Sequence, residues 1–390
     1  MEFTNNQKQV FKQVDFRVIL SVTLMAVLGV ASVAPVFPSI QEEFNITKDQ
    51  VSLLVTFFTL PGIFLTPFLG MLADRFGRKE VLIPSLFLFG LAGGLCGFSR
   101  SFEMLLVFRF LQGMGGASLN SINVTLIGDL YHGKTRAAAM GYNASILSIG
   151  TAAYPAIGGT LALLGWNFPF FLPLLAIPIG IISIFYMKSV KPENGQTLKA
   201  YFKEAWQRIK DRQILSIFFI SISTFIILYG CYISFFPFLL DEKFNASSVF
   251  IGILMSTMSL STAITSSQLD KLISRFTIKQ LLLFAFILFF ISLILLPVIS
   301  NKYLIIFPIA IFGAALGLTV PNMHTLLAEL TPKKHRAIMM SINGMVLRGG
   351  QTLGPVIIGF VYASFHLTAT FFAGALMALL VLPLIYTLLK

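Results

Sequence analysis

Residues 51–99 read VSLLVTFFTLPGIFLTPFLGMLADRFGRKEVLIPSLFLFGLAGGLCGFS, and their charges sit in one place. Asp74, Arg75, Arg78, Lys79 and Glu80 fall within seven residues, with 23 uncharged residues before them and 19 after. A helix needs about 20 apolar residues to cross ~30 Å of hydrocarbon. The stretch therefore predicts two membrane spans joined by a tight, charged loop.

The same pattern runs outward in both directions. Uncharged runs cover 18–41, 213–240, 244–269, 280–301 and 303–328, and 104–128 is broken only by Arg109. Two stretches are of double length: 137–187, without a charge, and 337–389, holding Arg348 and His366. They divide near Gly165-Trp166-Asn167 and Ser364-Phe365-His366, which brings the expectation to twelve spans. With 56% hydrophobic and 11% charged residues, against about a quarter charged in soluble domains, a water-soluble fold is excluded.

Basic residues set the expected orientation. With the N-terminus in the cytoplasm, 22 of the 28 Lys and Arg lie on the cytoplasmic side and four on the other, leaving Arg109 and Arg348 inside spans. Both termini are thus expected in the cytoplasm of a multi-pass protein of the cell (inner) membrane. The net charge of +12 is largely this bias, so no nucleic-acid partner is expected. The first apolar run is full length and lacks a small-residue cleavage site, which predicts that it is retained as the first span. Cys96 and Cys231 fall within spans and offer no extracellular disulfide.

The second half repeats the first at an offset of 200 residues. Glu42, Phe44 and Asn45 return as Glu242, Phe244 and Asn245; Asp129 returns as Glu329. Arg136, Met140, Asn143, Gly150, Pro155 and Gly159 return as Arg336, Met340, Asn343, Gly350, Pro355 and Gly359. Matched charges, prolines and asparagines are not chance apolar similarity. The expected organisation is a six-helix bundle over 1–187, a basic linker over 188–212 and a second six-helix bundle over 213–390. Parallel repeats of this kind place a substrate site near the membrane midplane. The linker spaces Leu198, Phe202, Ala205, Trp206 and Ile209 helically opposite Lys and Arg. That pattern fits an amphipathic helix on the anionic inner leaflet or a solvated basic connection.

The loop Gly70-Met71-Leu72-Ala73-Asp74-Arg75-Phe76-Gly77-Arg78-Lys79 is the most specific motif. Its glycines suit a tight turn, its basic residues hold that turn on the cytoplasmic side, and Asp74 can face a helix N-terminus. It resembles the loop signature of the major facilitator superfamily at every hallmark position. The resemblance implies twelve helices in two pseudo-symmetric bundles, and a conformational latch made by Gly70, Asp74, Arg75, Gly77, Arg78, Lys79 and Asp129. In it, Arg78 would pair with Asp129 and Asp74 would hold the start of the eleventh span near Arg336. The second copy, around Asp270, Lys271 and Arg275, is degenerate.

The fourth span carries Arg109, Gln112, Gly113, Gly115 and Gly116. An arginine inside a span costs at least ~2.5 kcal/mol on insertion scales. It therefore faces the bundle interior or snorkels to the outer end. The segment is similar to a family motif whose arginine is associated with proton coupling. The fifth span carries Gly150, Tyr154, Pro155, Gly158 and Gly159, similar to the motif of the superfamily's drug–proton antiporters. Tyr154 stands where that motif has glycine. The eleventh span repeats it with Gly354 and Pro355. Helix flexure and close packing follow from these residues directly; antiport follows from the resemblance alone.

All sixteen acidic residues lie in loops or at helix ends. The embedded ionisable groups are Arg109, His324 and Arg348. A neutral-to-positive interior favours neutral lipophilic or anionic cargo over organic cations. His324, with an ordinary pKa near 6.5, is either a proton carrier or a packing residue; Glu329 and Asp129 are the alternatives for coupling. Arg348 is a candidate anion contact or a partner of backbone carbonyls. Asn120, Asn123, Asn143, Asn343, Tyr229 and Tyr232 complete the candidate cargo-contact set.

These features predict a secondary transporter that uses protons to export lipophilic small molecules, acting as a monomer in the bilayer. Uptake or exchange of an organic anion or siderophore-like metabolite is the alternative. A membrane enzyme fits less well, because no nucleophile elbow, phosphate loop or metal-ligand cluster appears. No cofactor or metal is expected.

Overall fold

The computed structural model describes residues 14–187, 211–332 and 336–388. Residues 188–210 of the 188–212 linker lie outside the described residues. Fifteen α-helices follow in chain order: α1 Val14–Ala31, α2 Phe37–Phe44, α3 Lys48–Phe76, α4 Arg78–Cys96, α5 Phe102–Leu130, α6 Gly133–Leu161, α7 Ala176–Tyr186, α8 Arg212–Ile226, α9 Ser234–Phe244, α10 Ser248–Ser267, α11 Leu269–Ile273, α12 Ile278–Val298, α13 Ile306–Leu330, α14 Arg336–Ser364 and α15 Leu367–Leu388. Short tight turns join α1 to α2 and lead into α7, and a wide π turn joins α8 to α9.

Together with those turns, the described residues form twelve long rods. Ten are long and apolar enough to cross a membrane. The other two, α5 and α6, are 29 residues each and richer in small and polar residues. The chain is an all-α membrane protein with six spans in each half.

Local signals explain the ends of the rods. Ser101, Ser247 and Thr277 accept the N–H of the residue three positions on, capping α5, α10 and α12. Asn45 and Asn245 end α2 and α9 in the left-handed region, at φ 49° and 50°, and are the two non-glycine residues with positive φ among those described. The repeat thus extends to backbone conformation, since asparagine tolerates this region better than most residues. Gly77, at φ 116°, makes the break between α3 and α4. A Cβ there would run into the Glu80 carboxylate.

Contacts divide the chain into two compact units, 1–33 with 57–196 and 34–56 with 197–390. In the first, α4 packs on α5 and α7, and α1 packs on α6. The second repeats the scheme with α12 on α13 and α15, and α8 on α14. Lipid supplies little hydrophobic drive between helices, so close approach and hydrogen bonds hold them. Gly158 of α6 lies against the Ser32 backbone, and Gly113 of α5 against that of Phe58; a Cβ at either would overlap a carbonyl. Segment 34–56 belongs to the second unit through specific pairs. Lys48 forms a salt bridge with Glu242, Ser52 Oγ donates to Pro355 O at 3.4 Å and Thr56 Oγ1 to Thr352 O at 3.2 Å.

Candidate functional site

The loop motif is built around Arg78, whose side chain is 9% exposed. Its Nε donates to Asp129 Oδ2 at 3.1 Å, and its guanidinium also pairs with Asp74 one turn earlier. Asp74 ends α3, Arg78 begins α4 and Asp129 ends α5, so one cation gathers three helix termini. Gly77 supplies the turn that brings the first two together. Arg75 points outward over the Phe76 ring, 5.4 Å from its centroid. Gly70 lies inside α3 with open space around it. Lys79 acts in a way that its sequence position did not announce. Its Nζ donates to Ile184 O at 2.7 Å and Met187 O at 2.9 Å, capping the C-terminus of α7 where the helix dipole favours a cation.

Arg109 is fully buried. Its NH1 group donates to Gly29 O and Gln112 Oε1, both at 2.8 Å. The guanidinium lies over Phe58 at 4.5 Å and near Phe170 at 6.0 Å. Gly29 O is available because the α1–α2 turn diverts its usual donor: Val33 N–H bonds Val30 O at 3.2 Å instead. The arginine is thus enclosed by protein rather than extended to the membrane surface. Gln112 and Gly29 could not be assigned as its partners from spacing alone.

Below it, the first unit holds a buried polar trio. Asn123 Nδ2 donates to Ile19 O at 2.9 Å and to Thr23 Oγ1, while Thr23 Oγ1 also bonds Asn143 Oδ1. The trio ties α1, α5 and α6 together. Asn120 is on α5, but its side chain lies outside the described residues.

In the second unit the seventh rod widens over Ile227–Ile233 into a π turn. Pro237, just beyond it, has no N–H to donate to the preceding turn, and Gly230 allows close approach to Gly354 of α14. The turn carries two tyrosines. Tyr229 stacks on Phe225 at 6.0 Å, with Arg348 as an electrostatic neighbour. Tyr232 is fully buried between Phe236 and Phe312, at 4.7 and 4.8 Å. His324 is half-buried on α13, Glu329 is exposed near its end, and Asn343 is fully buried on α14. Pro155 and Pro355 both lie inside continuous helices, α6 and α14. Gly150 and Gly159 are buried on α6. Among the described residues no group of three His, Cys, Asp or Glu is arranged to hold a metal.

Twelve rods, two repeats and a charged loop gathering three helix ends define a polytopic transporter. Residues 19–242 and 218–390 each match the Major Facilitator Superfamily, and the chain belongs to that family. It is 28% identical to Multidrug resistance protein 1 of Bacillus subtilis (strain 168) over 356 residues, 90% of each chain. It is 26% identical to the Bacillibactin exporter of the same organism, over 86% of each chain. Among solved structures it is similar to the nucleoside transporter NupG, with a TM-score of 0.82, 13% identity and coverage of 99% of this chain and 100% of that one. That last likeness is one of fold.

Proposed function

We propose that this chain is a proton-driven exporter of lipophilic small molecules, with neutral or anionic cargo favoured. Relatives named for multidrug resistance and for bacillibactin export support outward transport of small molecules. The observation that carries the charge preference is the fate of the embedded arginines. Arg109 is engaged by Gly29 and Gln112, and Arg348, on α14, has Tyr229 of the π turn as an electrostatic neighbour. Among the described residues the acidic side chains stay in loops and terminal helical turns, so none of these carboxylates offers a counter-ion inside a span to a cationic drug. On this reading the chain sits in the cell membrane with both termini in the cytoplasm, as the basic-residue bias requires. Arg78, Asp74 and Asp129 serve as the cytoplasmic latch.

The test is transport into proteoliposomes under an imposed pH gradient, across matched cationic, neutral and anionic aromatic compounds. Gradient-dependent flux of the neutral or anionic members is expected. Flux of cations alone would overturn the charge preference, and flux indifferent to the gradient would overturn proton coupling. Exchange of an organic anion is the second reading. Arg348 favours it, and anion-for-anion counterflow without a pH requirement would replace the first reading with it.

A further inference from the structure

The two halves of the repeat treat the same three positions differently. In the first unit Thr23, Asn123 and Asn143 are all buried and bonded to one another. The residues 200 positions later are Ser223, Met323 and Asn343. Methionine at the centre has no amide to share. Its sulfur instead receives the Ser221 hydroxyl at 3.3 Å. Asn343 is fully buried, and neither atom of its amide has a protein partner; the same holds for Ser223 Oγ. Beside Met323, the fully buried Asn322 donates Nδ2 to Leu318 O at 2.7 Å and leaves Oδ1 without a partner. The three residues sit on α8, α13 and α14, which pack against one another pairwise.

Buried amide and hydroxyl groups without partners are costly, and native structures tolerate few of them. Here they gather on three adjoining helices; at two of these positions, Ser223 and Asn343, the first unit has Thr23 and Asn143 bonded to each other. Asn343 offers a donor and an acceptor, Asn322 an acceptor, and Ser223 either. The π turn begins four residues after Ser223. Such turns are locally wide and recur at functional sites.

We propose that Ser223, Asn322 and Asn343 form a docking site for a neutral hydrogen-bonding group of the cargo: an amide, hydroxyl or carbonyl on a lipophilic body. The corresponding trio of the first unit is a fixed brace. Recognition and bracing are thus divided between the two copies of one repeat. The inference rests on the small-molecule transporter reading above. A resident water molecule has the same hydrogen-bonding chemistry and is the competing occupant.

Thermal unfolding of the purified full-length protein, titrated with 2-naphthamide, 2-naphthol and 2-methylnaphthalene, separates the two. In wild type the amide and the naphthol are expected to bind about tenfold more tightly than the hydrocarbon, the margin of one well-made buried hydrogen bond. Asn343→Leu should erase that preference. Met323→Asn supplies the missing amide, so it should raise the unliganded Tm and weaken amide binding about tenfold. Asn143→Leu should lower the Tm yet keep the preference. Equal affinity for the three compounds in wild type would leave water as the occupant and overturn the proposal. So would an unchanged preference in Asn343→Leu or, if that variant fails to fold, in Met323→Asn. Loss of pH-driven flux in wild-type vesicles bears on the exporter reading and leaves this binding comparison intact.

Discussion

Arg78 Nε lies 3.1 Å from Asp129 Oδ2 while the same guanidinium grips Asp74, so a single cation is shared between two carboxylates from different helices. Removing it leaves two acids facing each other with no cation between them. Breaking a buried pair by deleting one partner costs up to about 3–5 kcal/mol, and the partial exposure of both carboxylates places this cluster below that range. Arg78→Ala should insert normally, lose much of its transport and shift toward the inward-facing state in accessibility labelling. Arg78→Lys keeps the charge without the forked geometry and should be intermediate. An unshifted population in Arg78→Ala would remove these residues from the latch.

Two glycines of α6 should respond in opposite directions to the same change. A methyl group at Gly158 would overlap the Ser32 carbonyl, while one at Gly141 meets nothing within 4 Å. Gly158→Ala forces α1 and α6 apart and should cost about 1–3 kcal/mol. Gly141→Ala removes backbone freedom from the unfolded chain and should gain about 0.4–1 kcal/mol. Thermal unfolding in one detergent reads both. Equal shifts would mean that α1 and α6 are not in backbone contact.

Much of the fold was legible because charge inside a bilayer is costly and therefore rare. The clusters at 74–80 and 241–243 mark rod ends by their charge alone. The offset of 200 residues was equally visible, and Asn45 and Asn245 carry it into backbone angles. Partners were harder to read. That Gly29 O would serve Arg109 depends on Val33 turning back to Val30, a consequence of the turn before Pro35 that no periodicity announces. The π turn at Ile227–Ile233 was likewise invisible, since its sequence reads as ordinary helix. Asn143 and Asn343 look identical in the repeat. Their environments differ because residue 123 is Asn and residue 323 is Met, a substitution whose meaning lies in how three helices pack.

Arg109 tests whether enclosure or charge matters. Arg109→Lys retains a cation but cannot match Gly29 O and Gln112 Oε1 while covering the Phe58 ring. A loss of about 2–3 kcal/mol in stability is expected, the worth of charge-assisted bonds. Gln112→Leu should cost less, because Gly29 O remains for the guanidinium. Both variants should be assayed for Tm and for transport. A transport defect in Arg109→Lys at unchanged Tm would assign the residue to coupling rather than to bracing.

The coupling residue itself is the remaining question, and the chemistry narrows it. A proton can drive a cycle only through a group whose protonation differs between the two access states, because a ligand shifts only an equilibrium in which it has differential affinity. Arginine does not deprotonate in proteins, so Arg109 and Arg348 can modulate a neighbour but cannot carry the proton. Asp129 is engaged by Arg78. Glu329 lies exposed in the last turn of α13. His324 sits half-buried on the same helix, and imidazole is the side chain whose ordinary pKa lies closest to neutrality. His324→Gln keeps the size and hydrogen-bonding capacity and removes the titration. It should abolish pH-driven flux while leaving cargo binding and counterflow intact. Glu329→Gln is the matched control, expected to retain gradient-driven flux. Undiminished flux in His324→Gln with loss in Glu329→Gln would move the proton to the end of the helix.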